Sequence, residues 1–99
     1  MAISRTDEAG AIVLAVDGRL DTRTSPEFQE ALIPLFDEGK EVRIDFADVV
    51  YVSSAGLRVL LMGAKTAKAK GSAMTLRNVS EEVMNVLEIT GFAGILTLE

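Results

Sequence analysis

The chain has 99 residues, nearly half of them apolar and a quarter charged, with a formal net charge of −5 and neither cysteine nor histidine. That size supports one hydrophobic core and predicts a single domain over residues 1–99. The missing residue types exclude disulfides, thiolate chemistry, Cys/His metal sites and every nucleophile–histidine triad, and the acidic balance argues against a nucleic-acid-binding face.

The longest apolar runs span only a few residues, so no membrane span is expected. The stretch Met1 to Glu8 lacks the basic start and apolar segment of a signal peptide, which points to the cytoplasm. Residues 2–8 are mixed and polar and predict an edge strand. Gly10 turns the chain into Ala11–Val16, a continuous apolar strand buried on both faces, so the two pair as a hairpin.

A helix begins near Thr24, where Thr24 and Glu27 fit a capping box and Pro26 suits the first turn. Phe28, Ala31, Leu32, Leu35 and Phe36 recur on one face. Pro34 removes a backbone hydrogen bond at a cost of roughly 3 kcal/mol and predicts a kink. Gly39 ends the helix.

Glu41–Phe46 alternates as a second core strand and runs into the apolar Val49–Val52. The next helix buries Leu57, Leu60, Leu61 and Ala64, then turns basic at Lys65, Lys68 and Lys70, which complements its negative end. Ala73–Arg77 is a third core strand. Ser80 starts a third helix with acids in its first turn, Val79 stapled onto Met84, and Val83, Val86, Leu87 and Ile89 facing inward. Gly91 closes that helix with Phe92 packed back on Leu87, and Ile95–Leu98 forms a last strand. The order β-β-α-β-α-β-α-β predicts an α/β fold, a small mixed and mostly parallel sheet with helices packed on it and an antiparallel partner at the N-terminal end.

Little in this chain suits catalysis. Gly-rich phosphate loops are absent. Asp17, Asp21, Asp45 and Asp48 read as loop and turn acids in preference to a Mg²⁺ cluster. No enzyme activity, cofactor or metal is expected.

The informative stretch is Asp48 to Leu61, where an apolar strand passes through Ser53-Ser54-Ala55-Gly56 into a helix. Two readings are open: a serine serves only as an N-cap, or it is a site of modification. Gly56 lies in the first turn, where it lets another backbone approach. Ala55, Val59, Met62, Gly63 and Thr66 form an uncharged stripe, which is either a docking surface or a wide core face. A phosphate on Ser54 would sit at a helix N-terminus, which favours an anion, while a partner docked on that stripe would have to desolvate a charge of about −2.

These residues resemble the phosphorylation site of the STAS-domain anti-sigma-factor antagonists, whose pattern is an apolar pair, Asp-Ser-Ser/Thr-Gly-Leu-Gly, and then a helix. Here it reads Tyr51-Val52-Ser53-Ser54-Ala55-Gly56-Leu57-Arg58. Gly18-Arg19-Leu20-Asp21 is similar to the family's Gly-x-Leu-Asp, and Thr90-Gly91-Phe92 to the end of its last helix. The chain departs from the pattern at Ser53, where the family has aspartate, at Ala55, where it has a second hydroxyl, and at Arg58, where it has glycine.

The resemblance implies a partner-switching module phosphorylated on Ser54, with Ser53 a competing site and Asp21 near the phosphosite. Unphosphorylated, it would bind an anti-sigma factor that is a serine kinase of the histidine-kinase-like ATPase fold; phosphorylation would release it and a metal-dependent serine phosphatase would reset it. With the uncharged stripe, it singles out Asp21, Thr22, Ser53, Ala55, Gly56, Arg58, Val59 and Met62 as partner contacts. A second reading is a non-phosphorylated STAS-like accessory subunit of a transport or signalling assembly.

Overall fold

The computed structural model describes Met1–Glu99 and lays five strands side by side in chain order. Strand β1 (Ile3–Glu8) pairs antiparallel with β2 (Ala11–Leu20) across a two-residue turn in which Ala9 and Gly10 both take positive φ. That is the conformation whose twist matches a tight hairpin, and Gly10 adopts it freely. Strands β3 (Glu41–Val52), β4 (Met74–Arg77) and β5 (Thr97–Leu98) follow in parallel. Between them run α1 (Ser25–Leu32), α2 (Ser54–Ala69) and α3 (Glu81–Ile89).

Alternation along β3 decides which side meets the helices. Val42, Ile44 and Phe46 enter one core with Phe28, Leu32, Leu60, Val83 and Leu87. Glu41, Arg43 and Asp45 take the other face, where Arg43 and Arg77 reach Glu8 at 3.8 and 3.4 Å.

Several elements differ from the sequence pattern for identifiable reasons. Strand β2 continues past Val16 to Leu20, staying paired with β3, which carries an extra residue twice along their shared ladder. Those irregularities change which side chains point inward: Val49 and Val52 are buried, while Val50 and Tyr51 within the same apolar run are exposed. Pro34 does not kink a continuous helix. Helix α1 stops at Leu32, and Ile33–Glu38 winds as a 3₁₀ segment that still buries Leu35 and Phe36. Ile89 is 86 % exposed rather than inward-facing. Ile95 is also exposed; Phe92–Gly94 forms a 3₁₀ turn that shortens β5 to Thr97–Leu98 and leaves Leu96 as the buried residue.

The third helix forms as its sequence predicts. Ser80 is the N-cap, its Oγ accepting from the Val83 N–H at 3.2 Å, and Gly91 takes positive φ just beyond Thr90, the C-cap. No helix is long and apolar enough to cross a membrane.

Candidate functional site

The site is built where β2 and β3 end together. Leu20 pairs with Val52, and the Leu20 carbonyl accepts the Ser53 N–H at 2.8 Å, so the chain leaves the sheet in a fixed direction. Ser53 has extended backbone (φ −90°, ψ 177°) and is the N-cap of α2; its carbonyl accepts the Leu57 N–H at 2.9 Å. Neither hydroxyl of the serine pair caps the helix. Ser53 Oγ is buried and has no hydrogen-bond partner, whereas Ser54, the first helical residue, is exposed. The first-turn N–H groups of α2 therefore remain available at its positive end.

Asp21 holds the other side of this junction. Its Oδ1 accepts from the N–H groups of Arg23 and Thr24, at 3.0 and 3.1 Å, and Thr24 Oγ1 accepts the Asp21 N–H at 3.0 Å. Thr24 is therefore not the cap of a capping box. It sits in helical conformation with no side-chain cap bond, and the aspartate does the anchoring. The Thr24 N–H, then the Arg23 N–H and the Thr24 hydroxyl, hold the Asp21 carboxyl below the usual carboxylate range against desolvation, and the Arg19 charge adds to this. Arg19 itself lies 4.2 Å over the ring of Tyr51, its partner across the ladder.

The solvent side of α2 carries two shallow surfaces separated by Arg58. On one side Ser54, Leu57, Arg58, Leu61, Thr90 and Phe92 line a groove of about 360 Å³. On the other, Thr22, Ser25, Pro26, Gln29, Ala55, Arg58 and Val59 line a depression of about 240 Å³ between α1 and α2. Met62 lies one turn further along, with Leu61 and Lys65. A larger depression, of about 480 Å³, opens at the start of α3 between Val50 and the acids Glu81 and Glu82; it contains none of the residues around Ser54.

A family model described as "Mlab, STAS domain" matches residues 2–98. An anti-sigma-B factor antagonist of Bacillus subtilis is 33% identical over 88% of this chain and 80% of its own length. The chain belongs to the STAS-domain family of anti-sigma-factor antagonists. The STAS fold is matched by an anti-sigma factor antagonist from Mycobacterium paratuberculosis, with a TM-score of 0.83 at 22% identity over 98% of this chain and 83% of that one. The phosphorylated form of the Bacillus cell fate determinant SpoIIAA superposes with a TM-score of 0.73 at 16% identity, covering 99% and 91% of the two chains.

Within this STAS domain, Asp21, Thr22, Ser53, Ser54, Ala55 and Arg58 all fall at or beside the β2/β3 exit. Two candidates are corrected. Val59 is 4 % exposed and belongs to the core, so it offers a partner almost no surface. Gly56 is buried too, and the backbone it admits is the chain's own: a Cβ there would lie 2.9 Å from Leu20 Cβ and 3.0 Å from the Leu20 carbonyl oxygen. Gly63 likewise admits Leu32 and Met74, so the uncharged stripe is in large part the seam between α1 and α2. The apolar surface near Ser54 comes instead from the half-buried Leu61 and Phe92, with the buried Leu57 beneath them. Sequence reasoning turned Leu61 inward and gave Phe92 only a helix-ending role. The signal available was the Thr90-Gly91-Phe92 ending, which returns the chain to the side of α2. The acids Asp17 and Asp45 serve as local acceptors, for the Ala2 N–H and for the Ala47 N–H with the Asn78 side chain.

Proposed function

We propose that this STAS domain works by partner switching, binding an anti-sigma factor in its unphosphorylated form and leaving it when Ser54 is phosphorylated. The observation that carries the assignment to Ser54 is the division of labour in the serine pair: Ser54 is exposed at the start of α2, while Ser53 Oγ is enclosed. A kinase reaches the first and not the second. The transfer joins the ATP γ-phosphoryl group to Ser54 Oγ, with ADP leaving and the hydroxyl proton lost.

The groove beside it supplies the switch. Leu61 and Phe92 offer an apolar surface to a partner, and a charge of about −2 at its rim cannot be covered without desolvation. The partner consistent with this chemistry is an anti-sigma factor that is itself a serine kinase of the histidine-kinase-like ATPase fold. A metal-dependent serine phosphatase would restore the hydroxyl.

The test is incubation of the chain with ATP and each candidate kinase, followed by phosphate mapping by mass spectrometry. Phosphate on Ser54 and loss of the complex are expected. A kinase complex with no phosphate at Ser54 would instead favour the accessory-subunit reading.

A further inference from the structure

Arg58 stands one helical turn after Ser54, and the two side chains line the same groove. Its guanidinium is uncommitted. Arg5, Arg19, Arg43 and Arg77 each reach a carboxylate, whereas Arg58, like Arg23, reaches none. An anionic residue four positions before a cation is the favourable orientation on a helix, with Cβ atoms about 5–6 Å apart. A phosphoserine offers three acceptor oxygens and a charge of about −2, and the planar guanidinium fork matches such oxyanions bidentately.

We propose that Arg58 is an intramolecular clamp for a phosphoryl group on Ser54. In the unmodified chain Arg58 borders the groove and both neighbouring depressions. With phosphate on Ser54 the guanidinium is drawn back one turn and spreads across the mouth formed by Leu61 and Phe92. Phosphorylation then acts twice, placing a charge at the rim and covering the apolar surface with the ion pair. The clamp also shields the phosphoserine, so the phosphorylated state persists until a phosphatase displaces Arg58. The inference rests on modification of Ser54 and adds a residue that the family pattern, with glycine at this place, does not supply.

The experiment installs phosphoserine at position 54 during translation, so no kinase is needed. Folding constants of the phosphorylated and unphosphorylated chains are measured by urea denaturation, with Arg58 and with Arg58→Gln. The clamp predicts that the phosphorylated-to-unphosphorylated ratio is at least about fivefold higher with arginine, and that this excess shrinks in high salt. Equal ratios overturn it. Should Arg58→Gln fail to fold, NMR of the native sequence decides: the Arg58 Nε–H moves downfield on phosphorylation if the clamp forms, and an unmoved resonance refutes it. Because the phosphate is placed independently, a failed clamp leaves kinase-dependent phosphorylation of Ser54 standing. Conversely, a chain that no kinase accepts still tests the clamp.

Discussion

Gly56 packs on Leu20 so closely that a Cβ on Gly56 would meet both the Leu20 side chain and its carbonyl, at 2.9 and 3.0 Å. The carbonyl cannot retreat, because it accepts the Ser53 N–H. Overfilling such a contact costs about 3 kcal/mol at the rigid end of the range, and the better helix propensity of alanine returns about 1. Gly56→Ala therefore destabilises the domain by about 2 kcal/mol, seen as a fall in Tm on the order of 10 °C. It also tilts the start of α2, so kinase affinity falls with stability. An unchanged melting curve would show that the junction is looser than this contact implies.

Val59 and Met62 lie three residues apart on α2 and separate core from surface. Val59→Glu buries an unpaired carboxylate and abolishes cooperative folding, at a cost of about 4 kcal/mol or more. Met62→Glu, at a half-exposed position, leaves the circular dichroism spectrum intact while kinase binding drops at least about tenfold. Normal binding by folded Met62→Glu would remove that part of α2 from the docking surface.

The serine pair divides by function. Ser54→Ala binds the kinase constitutively and takes no phosphate, whereas Ser54→Asp binds at least about tenfold more weakly, a loss of about 1.4 kcal/mol. Equal affinities in a calorimetric titration contradict the switch. Ser53→Ala removes an unpartnered hydroxyl that caps nothing. Its stability changes by less than about 0.5 kcal/mol, in contrast to the ~1 kcal/mol of a true N-cap serine, and Ser54 remains a kinase substrate.

Asp21 predicts a particular pH response. Its folded-state acidity is strengthened by the Thr24 and Arg23 N–H groups, so its pKa lies below the unfolded value. The stabilisation is fully present above the unfolded pKa of about 3.9 and is lost as pH falls through the folded value. Asp21→Asn therefore melts below the native sequence at pH 7, and the gap closes on acidification below about pH 4. Thermal denaturation at both pH values checks this. A gap that persists in acid would assign Asp21 a role other than the charged acceptor.

The order of the elements, the hairpin turn at Gly10, the Ser80 cap and the Ser54 region were legible in the chain, because period, caps and turn residues are local chemistry; the ends of β2, α1 and β5 were not. Local chemistry also put a helix start beside two serines. What it could not provide was the direction of each side chain beyond its own element. The extra residues in β3 turn Val50 and Tyr51 outward, and no pattern within the apolar run Val49–Val52 announces that. Val59 and Gly63 could belong to a docking stripe or to a wide core face, and only α1 laid against them decided for the core. Asp21 rather than Thr24 anchors α1 because the end of β2 brings the carboxylate back onto the N–H groups of the turn. The sequence by itself determined the order of strands and helices and marked a hydroxyl at the start of α2. Only tertiary packing decided which serine faces solvent, since Ser53 turns inward where its N–H is held by Leu20, and which apolar residues, Leu61 and Phe92, stand beside the one that does.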